Sequence, residues 1–457
     1  MAVWSNANII EVSASRRIDS EFFHPDYLLA EEKVNASSEI EPLGRLGKFI
    51  IGPFGSAFRV SNYDPNSEYR YVRGKDVKPF KLKEDDNVYM PPEDFKRLSK
   101  YALEEKDLLI SVVGTLGNVA IVPEGTNGIF SNKSTVFRDS KVNPYYLLAY
   151  FNSKYGRLCL LRRQRGAVQT GLNKEDLKTV PVPLFDDSFR DQVGGKVVQS
   201  LKLIEESKDL YNKAVQLLEE KLGLNEIQLK TSLTYTSAAS EVISSRRMNA
   251  EYFSPAVKEI LTKEFLYDSK PLGMLYQIIR GKSPSEYYDS GIPVVKTKNI
   301  RVPEIDRSKI SDYVTDTKKL TPIRKDDLLL ASMGVGSLGR ISFVFGDEGA
   351  HVVDGTIRVL RKKSNIQESI EIPTLLFLGT DVGQKLIYRG IVGSTGIISL
   401  PDDYLKKIPI PTFKDDLIMQ CNSLVIKSME YKKASLNLLE KAKQEVEKLI
   451  EQSAENV

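Results

Sequence analysis

The sequence predicts an α+β protein in which one mixed strand and helix module is used twice, each copy followed by a long helix. Three features carry this expectation. The run Arg16-Arg17-Ile18-Asp19-Ser20-Glu21-Phe22-Phe23-His24-Pro25 returns half a chain later as Arg246-Arg247-Met248-Asn249-Ala250-Glu251-Tyr252-Phe253-Ser254-Pro255. Further landmarks follow at a nearly constant interval: Pro42-Leu43-Gly44 matches Pro271-Leu272-Gly273, Gly52 matches Gly281, and Val180-Pro181-Val182-Pro183 matches Ile408-Pro409-Ile410-Pro411. Each copy then gives way to a proline-free amphipathic stretch. A period this long marks a duplicated domain, since solenoid units repeat every 20 to 50 residues or so. The expected division is 1–186, 187–225, 226–413 and 414–457.

Composition fits two folded modules. At 457 residues the chain exceeds one ordinary core, and with 41% hydrophobic and 28% charged residues it can bury one core per module. No apolar run approaches the roughly 20 residues of a membrane span, and Met1 to Ile10 lacks the basic start and apolar core of a signal peptide. Two cysteines (Cys159, Cys421) and two histidines (His24, His351) cannot build two matching metal sites. A reducing cytoplasm is the expected compartment. The net charge of +4 is small, but the long helical stretches are slightly acidic, so the remainder is the more basic part.

After a lead-in of about 40 residues, short apolar runs broken by glycine, proline and asparagine predict strands and loops up to Pro183. Tyr69 to Val72 reads as a short strand. Asp107 to Val113 reads as a buried strand that turns at Gly114-Thr115-Leu116-Gly117 into Val119 to Val122, a hairpin. From Asn143 to Arg165, Tyr146, Leu147, Tyr150, Phe151, Leu158 and Leu161 recur at helical spacing. Ser188 to Leu224 predicts a long helix on Val197, Leu201, Ile204, Tyr211, Val215, Leu218 and Leu222, interrupted at Lys208 and stopped by Gly223. Asp415 to about Gln452 repeats it, with Ile418, Cys421, Val425, Leu439, Ala442, Val446 and Leu449 in heptads and polar Ser428, Lys432 and Ser435 midway.

Several runs imitate catalytic motifs without their chemistry. Gly281-Lys282-Ser283 resembles the end of a phosphate-binding loop, yet Tyr276 stands where that loop needs its first glycine. Asn143-Pro144-Tyr145-Tyr146 lacks the second proline of the amino-methyltransferase tetrad and reads as a helix start. Pro401-Asp402-Asp403 with Lys406 occurs in one half only and lacks a spaced second acid for magnesium. His24 is answered by Ser254, and neither histidine stands with a nucleophile. Basic and amide residues beside predicted turns are better candidates. Arg73, Lys75 and Asp76 answer Lys296, Lys298 and Asn299, types that read base edges or hold phosphates, or else form a solvated face. Arg162, Arg163 and Arg165 either grip a phosphate backbone or favourably end a helix. The repeated arginine pairs, set beside paired aromatics, point to internal stacking more than readout.

Taken in order, and twice, these cues resemble the specificity subunit of type I restriction-modification systems, over nearly the whole chain. They are the Pro-Leu-Gly openings, Gly291-Ile292-Pro293-Val294-Val295-Lys296 leading to Asn299-Ile300, Asp327-Leu328-Leu329 with Gly339-Arg340, and Ile408-Pro409-Ile410-Pro411. The first half departs from Gly-Ile-Pro, reading Tyr69-Arg70-Tyr71. The resemblance implies two tandem mixed α/β target-recognition domains, each reading one half of a split double-stranded DNA sequence. It also implies that the two long helices pack as an antiparallel coiled coil with pseudo-two-fold symmetry. No catalysis and no cofactor of its own follow: S-adenosylmethionine belongs to partner methyltransferase subunits, two in number, and a motor-nuclease restriction subunit is a further partner. The DNA-contacting set expected on this basis is Arg59, Arg73, Lys75, Asp76, Arg162, Arg163, Arg165, Arg280, Lys282, Lys296, Lys298, Asn299, Arg340 and Arg389. A related methylation-based phage-defence system shares the layout. A repressor with duplicated domains, or a scaffold whose modules bind peptide, would need no methyltransferase encoded nearby.

Overall fold

In the computed structural model, residues 4–53, 55–166, 170–227, 234–346, 351–393 and 398–455 are described. The chain forms two compact units, residues 1–203 with 434–457 and residues 204–433. The first unit is assembled from two separate stretches and the second from one, and each consists of one module together with part of each long helix.

In the first unit the strands are β1 (Ile40–Pro42), β2 (Lys48–Ile51), β3 (Tyr69–Val72), β4 (Tyr89–Met90), β5 (Leu108–Ser111), β6 (Val119–Ile121), β7 (Gly128–Phe130), β8 (Ser134–Arg138) and β9 (Pro181–Pro183). They make an antiparallel sheet β2-β8-β5-β6, a smaller mixed sheet β4-β3-β7 with β3 and β7 parallel, and a β1-β9 ribbon. The predicted hairpin is β5 and β6. Residues of β5 alternate between two cores, as a strand's period of two requires. Leu108 and Ile110 pack with Tyr146, Leu147 and Tyr150 of the helical segment, while Leu109 packs with Val72, Val77 and Phe130 beneath the smaller sheet. The module is therefore three layers deep: helices, large sheet, small sheet.

The second unit repeats this plan. Its strands are β10 (Lys270–Pro271), β11 (Tyr276–Arg280), β12 (Ile292–Val295), β13 (Tyr313–Val314), β14 (Thr321–Pro322), β15 (Leu328–Ala331), β16 (Ile341–Phe343), β17 (Val352–Val353), β18 (Ile357–Lys362) and β19 (Pro409–Ile410). The sheets run β11-β18-β15-β16 and β13-β12-β17-β14, with β12 and β17 parallel, beside a β10-β19 ribbon. The apolar-Pro-apolar-Pro closures of the sequence are the ribbon strands β9 and β19, each pairing the strand that carries the Pro-Leu-Gly proline.

The repeated Asp-Leu-Leu has a structural cause. Asp107 is buried and holds the Arg138 guanidinium through Nε at 2.8 Å and Nη2 at 2.6 Å, while also accepting the Glu104 amide. Asp327 does the same for Arg361, at 2.8 and 2.7 Å, and for the Arg324 amide. Each pair ties the entry of the central strand to its neighbour in the large sheet.

Between Asn143 and Arg165 the expected helical segment is two helices, Pro144–Asn152 and Lys154–Arg162, broken at Ser153. Asn143 caps the first, accepting from the Tyr145 and Tyr146 amides, so the Asn-Pro-Tyr-Tyr run is a helix start. Ser153 caps the second through the Gly156 amide. The break folds one helix so closely on the other that a β-carbon on Gly156 would lie 2.1 Å from the Tyr150 carbonyl oxygen. Thr380 and Gly383 repeat the break between Glu371–Gly379 and Asp381–Arg389, again with 2.1 Å to a carbonyl, that of Phe377.

The central helix spans Asp187–Lys221, with Gly223 behind it in the left-handed region (φ 65°), and the C-terminal helix spans Asp415–Glu455. Their halves run antiparallel in both units. In the first unit Ser200 Oγ meets the Ser435 hydroxyl at 2.8 Å, and Lys196 pairs with Glu445 at 2.8 Å. In the second, Ser207 Oγ donates to the Ser428 carbonyl at 2.7 Å, and the Cys421 thiol faces the Ala214 carbonyl at 4.0 Å. The seam thus carries small residues, Ser200, Ser207 and Ala214, at positions that the apolar pattern of the central helix passes over. Among the described residues no helix is long and apolar enough to cross a membrane.

Candidate nucleic-acid interface

In each module the parallel strand of the small sheet runs out into a single 3₁₀ turn that carries two cations. In the first, β3 leads through Arg73 to Gly74–Asp76. Asp76 is fully buried and accepts the Arg73 amide at 2.9 Å and the Arg73 guanidinium at 2.9 and 3.0 Å. In the second, β12 leads through Lys296 to Thr297–Asn299, and buried Asn299 accepts the Lys296 amide at 2.9 Å. Asp76 and Asn299 therefore act within the protein: they cap the turn and fix the direction in which the cations leave it.

The cations meet a carboxylate from the neighbouring edge-strand segment. Lys75 Nζ lies 3.0 Å from Asp86 Oδ2, and the Arg73 guanidinium also reaches the Asp86 carbonyl. Lys296 and Lys298 lie 2.7 and 2.9 Å from the two oxygens of Asp312, and the Lys296 ammonium sits 3.7 Å above the Tyr287 ring. Hydrogen bonds from Lys296 and then Lys298 hold the Asp312 carboxyl far below the usual carboxylate range, and the Lys75 bond lowers Asp86 in the same sense. Burial works against the Lys296 ammonium, but the bond to Asp312 together with the charges of Tyr287 and Asp312 outweighs it and raises its pKa. Neither aspartate stood out in the sequence. Asp86 lies in an ordinary acidic run, and Asp312 gives no pattern at all.

The first module adds a cleft of about 650 Å³ beside its cation pair, lined by Phe58, Tyr63, Tyr71, Arg73, Lys75 and Lys133 among others. Burial, and then the neighbouring Tyr63, push the Tyr71 hydroxyl up to about 12. Arg59 is exposed beside this wall. In the second module Arg280 and Lys282 are exposed at the end of β11, flanking Gly281, where a β-carbon would meet the Asp354 carbonyl at 1.8 Å. That glycine is thus required by packing. Arg340 is exposed at the β15–β16 turn.

The remaining expected residues lie elsewhere, at the ends of the second short helices. Arg162 and Arg163 are buried: Arg163 pairs with Glu31 (Nη2 to Oε1, 2.9 Å), and Arg162 lies 3.1 Å from Glu31 and 4.2 Å over the Phe22 ring. Arg17 covers the same ring at 4.4 Å. Arg389 repeats the Arg162 contact, 4.2 Å over Tyr252, with Arg247 at 5.6 Å. The second arginine of each repeated pair therefore shares one aromatic ring with an arginine at the end of the second short helix, docking the lead-in on its module. Arg165 is exposed but bonded to Asp176 at 2.8 Å.

Residues 54–188 match the family model of the type I restriction modification DNA specificity domain. A search of curated proteins finds no sequence match. Among solved structures, the chain is similar to a type I restriction-modification S subunit from M. genitalium, at 14% identity and a TM-score of 0.45, covering 91% of this chain and 95% of that one. It is also similar to an HsdS subunit from Thermoanaerobacter tengcongensis, at 14% identity and a TM-score of 0.28, covering 90% and 96%.

Proposed function

Since residues 54–188 match the type I restriction modification DNA specificity domain, we propose that the chain is a specificity subunit whose two modules each read one half of a split duplex sequence. It is the non-catalytic specificity subunit, and S-adenosylmethionine is bound by its methyltransferase partner. Two methyltransferase subunits, one for each repeat, dock on the chain, and a motor-nuclease subunit completes the restriction form. The carrying observation is the recurrence, in both modules, of a capped 3₁₀ turn presenting two cations at the end of the parallel strand. We assign the reading surface to Arg59, Arg73 and Lys75 in the first module and to Arg280, Lys282, Lys296, Lys298 and Arg340 in the second. Arg162, Arg163 and Arg389, turned onto glutamates and rings, serve the framework.

Site selection from random duplex DNA with the full chain tests this. The selected sequences should contain two defined blocks separated by an undefined gap, and a single block would sink the reading. On the selected site, Lys298→Ala should weaken binding through one block only. The loss is about 1–3 kcal/mol if the ammonium meets a base edge; if it meets a phosphate, the loss is uniform across sequences and the salt slope falls by about one. Unchanged affinity and unchanged slope would remove Lys298 from the interface.

A further inference from the structure

The carboxylates of Asp86 and Asp312 occupy the place that a phosphate would take on the two cation pairs. Two observations set them apart from ordinary surface ion pairs, which contribute little to stability. The clamp occurs in both modules on the same cation positions, two residues apart across a capped turn. Moreover, the acids are not equivalent in sequence: Asp86 stands three residues before its edge strand β4, and Asp312 one residue before β13. The two modules thus reach the same clamp with acids at different positions in the repeat.

We propose, on the DNA-reading role assigned above, that Asp86 and Asp312 set specificity by holding each cation pair off the indiscriminate phosphate backbone. Random duplex must bring phosphates toward a pair whose charge is already partly answered, and the carboxylate repels them. A correct half-site presents base edges instead. The cations donate to guanine O6 and N7, and the carboxylate accepts from an amino group of cytosine or adenine, so its charge is used rather than opposed. The aspartates thereby lower affinity for wrong DNA more than for right DNA, the mark of discrimination against competitors.

The test compares wild-type full chain, Asp312→Asn and Asp86→Asn on a random 40-base-pair duplex pool and on the site selected by wild type. Each variant should bind the random pool about three- to tenfold more tightly, with a log affinity against log salt slope steeper by about one. The ratio of selected-site to random affinity should fall at least threefold. Random-pool affinity that is unchanged or weakened, or an unchanged ratio, overturns the proposal while leaving the reading role standing. Failure of wild type to select any site overturns the reading role itself. Asp86 guards against a folding artefact, since its carboxylate is more than half exposed.

Discussion

Asp327→Ala is expected to destabilise the second unit by about 3 kcal/mol, the largest stability effect of any single substitution discussed for this protein. Its carboxylate is almost wholly buried, satisfies two guanidinium nitrogens of Arg361 and caps the Arg324 amide. Removing it leaves the arginine charge uncompensated against the large sheet and orphans an amide. Amide hydrogen exchange of Leu328–Ala331 and of Ile357–Lys362 checks this locally, as the two units need not unfold as one. Protection in these strands should fall about a hundredfold, whereas that of Leu108–Ser111 in the other unit should hold. If the pair is a matter of charge satisfaction, Asp327→Leu with Arg361→Met should recover much of the loss. No recovery would show that the geometry of the pair itself is needed.

The second large effect is on the spacing of the recognised sequence. One heptad inserted into each long helix, between Ser200 and Ser207 and between Ser428 and Ser435, keeps the seam in phase and lengthens both helices by about 10 Å, near 3 base pairs of duplex. The two blocks selected from random DNA should stay the same while the gap between them grows by about 3. Because 3 base pairs also turn one block by roughly 100° about the duplex, affinity should drop unless the DNA twists to compensate. An unchanged gap with both blocks retained would show that the helices do not set the spacing.

What the sequence made legible follows the length scale of each interaction. The duplication, the β5–β6 hairpin and both long helices rest on periodicity and turn chemistry within a few residues, and the structure has them close to where the pattern places them. The partners of Asp107 and Asp327 lie 31 and 34 residues away, so the repeated Asp-Leu-Leu was visible as a landmark while its reason was not. In the helical seam, counting apolar residues passed over Ser200 and Ser207 because a serine satisfied by a facing serine is as compatible with burial as alanine. For the site the limiting quantity was side-chain direction. Arg73 and Arg162 look alike as letters, but Arg73 lines an open cleft and Arg162 is folded onto Phe22 and Glu31. The aspartates that answer the cations were hidden because one carboxylate in a charged loop has no pattern of its own.

The interleaved make-up of the first unit bears on how the chain is made. Ala442, Val446 and Ile450 are fully buried in the same core as Tyr146 and Val197, and Glu447 and Glu451 bond to Lys154 and Tyr155. During synthesis the first module emerges early, yet the helix that seals it is made only after the whole second module. Until then the apolar face around Val193 and Val197 stays open to water. A stop codon between Lys433 and Ala442 would therefore damage the first module, leaving the second with its share of both helices.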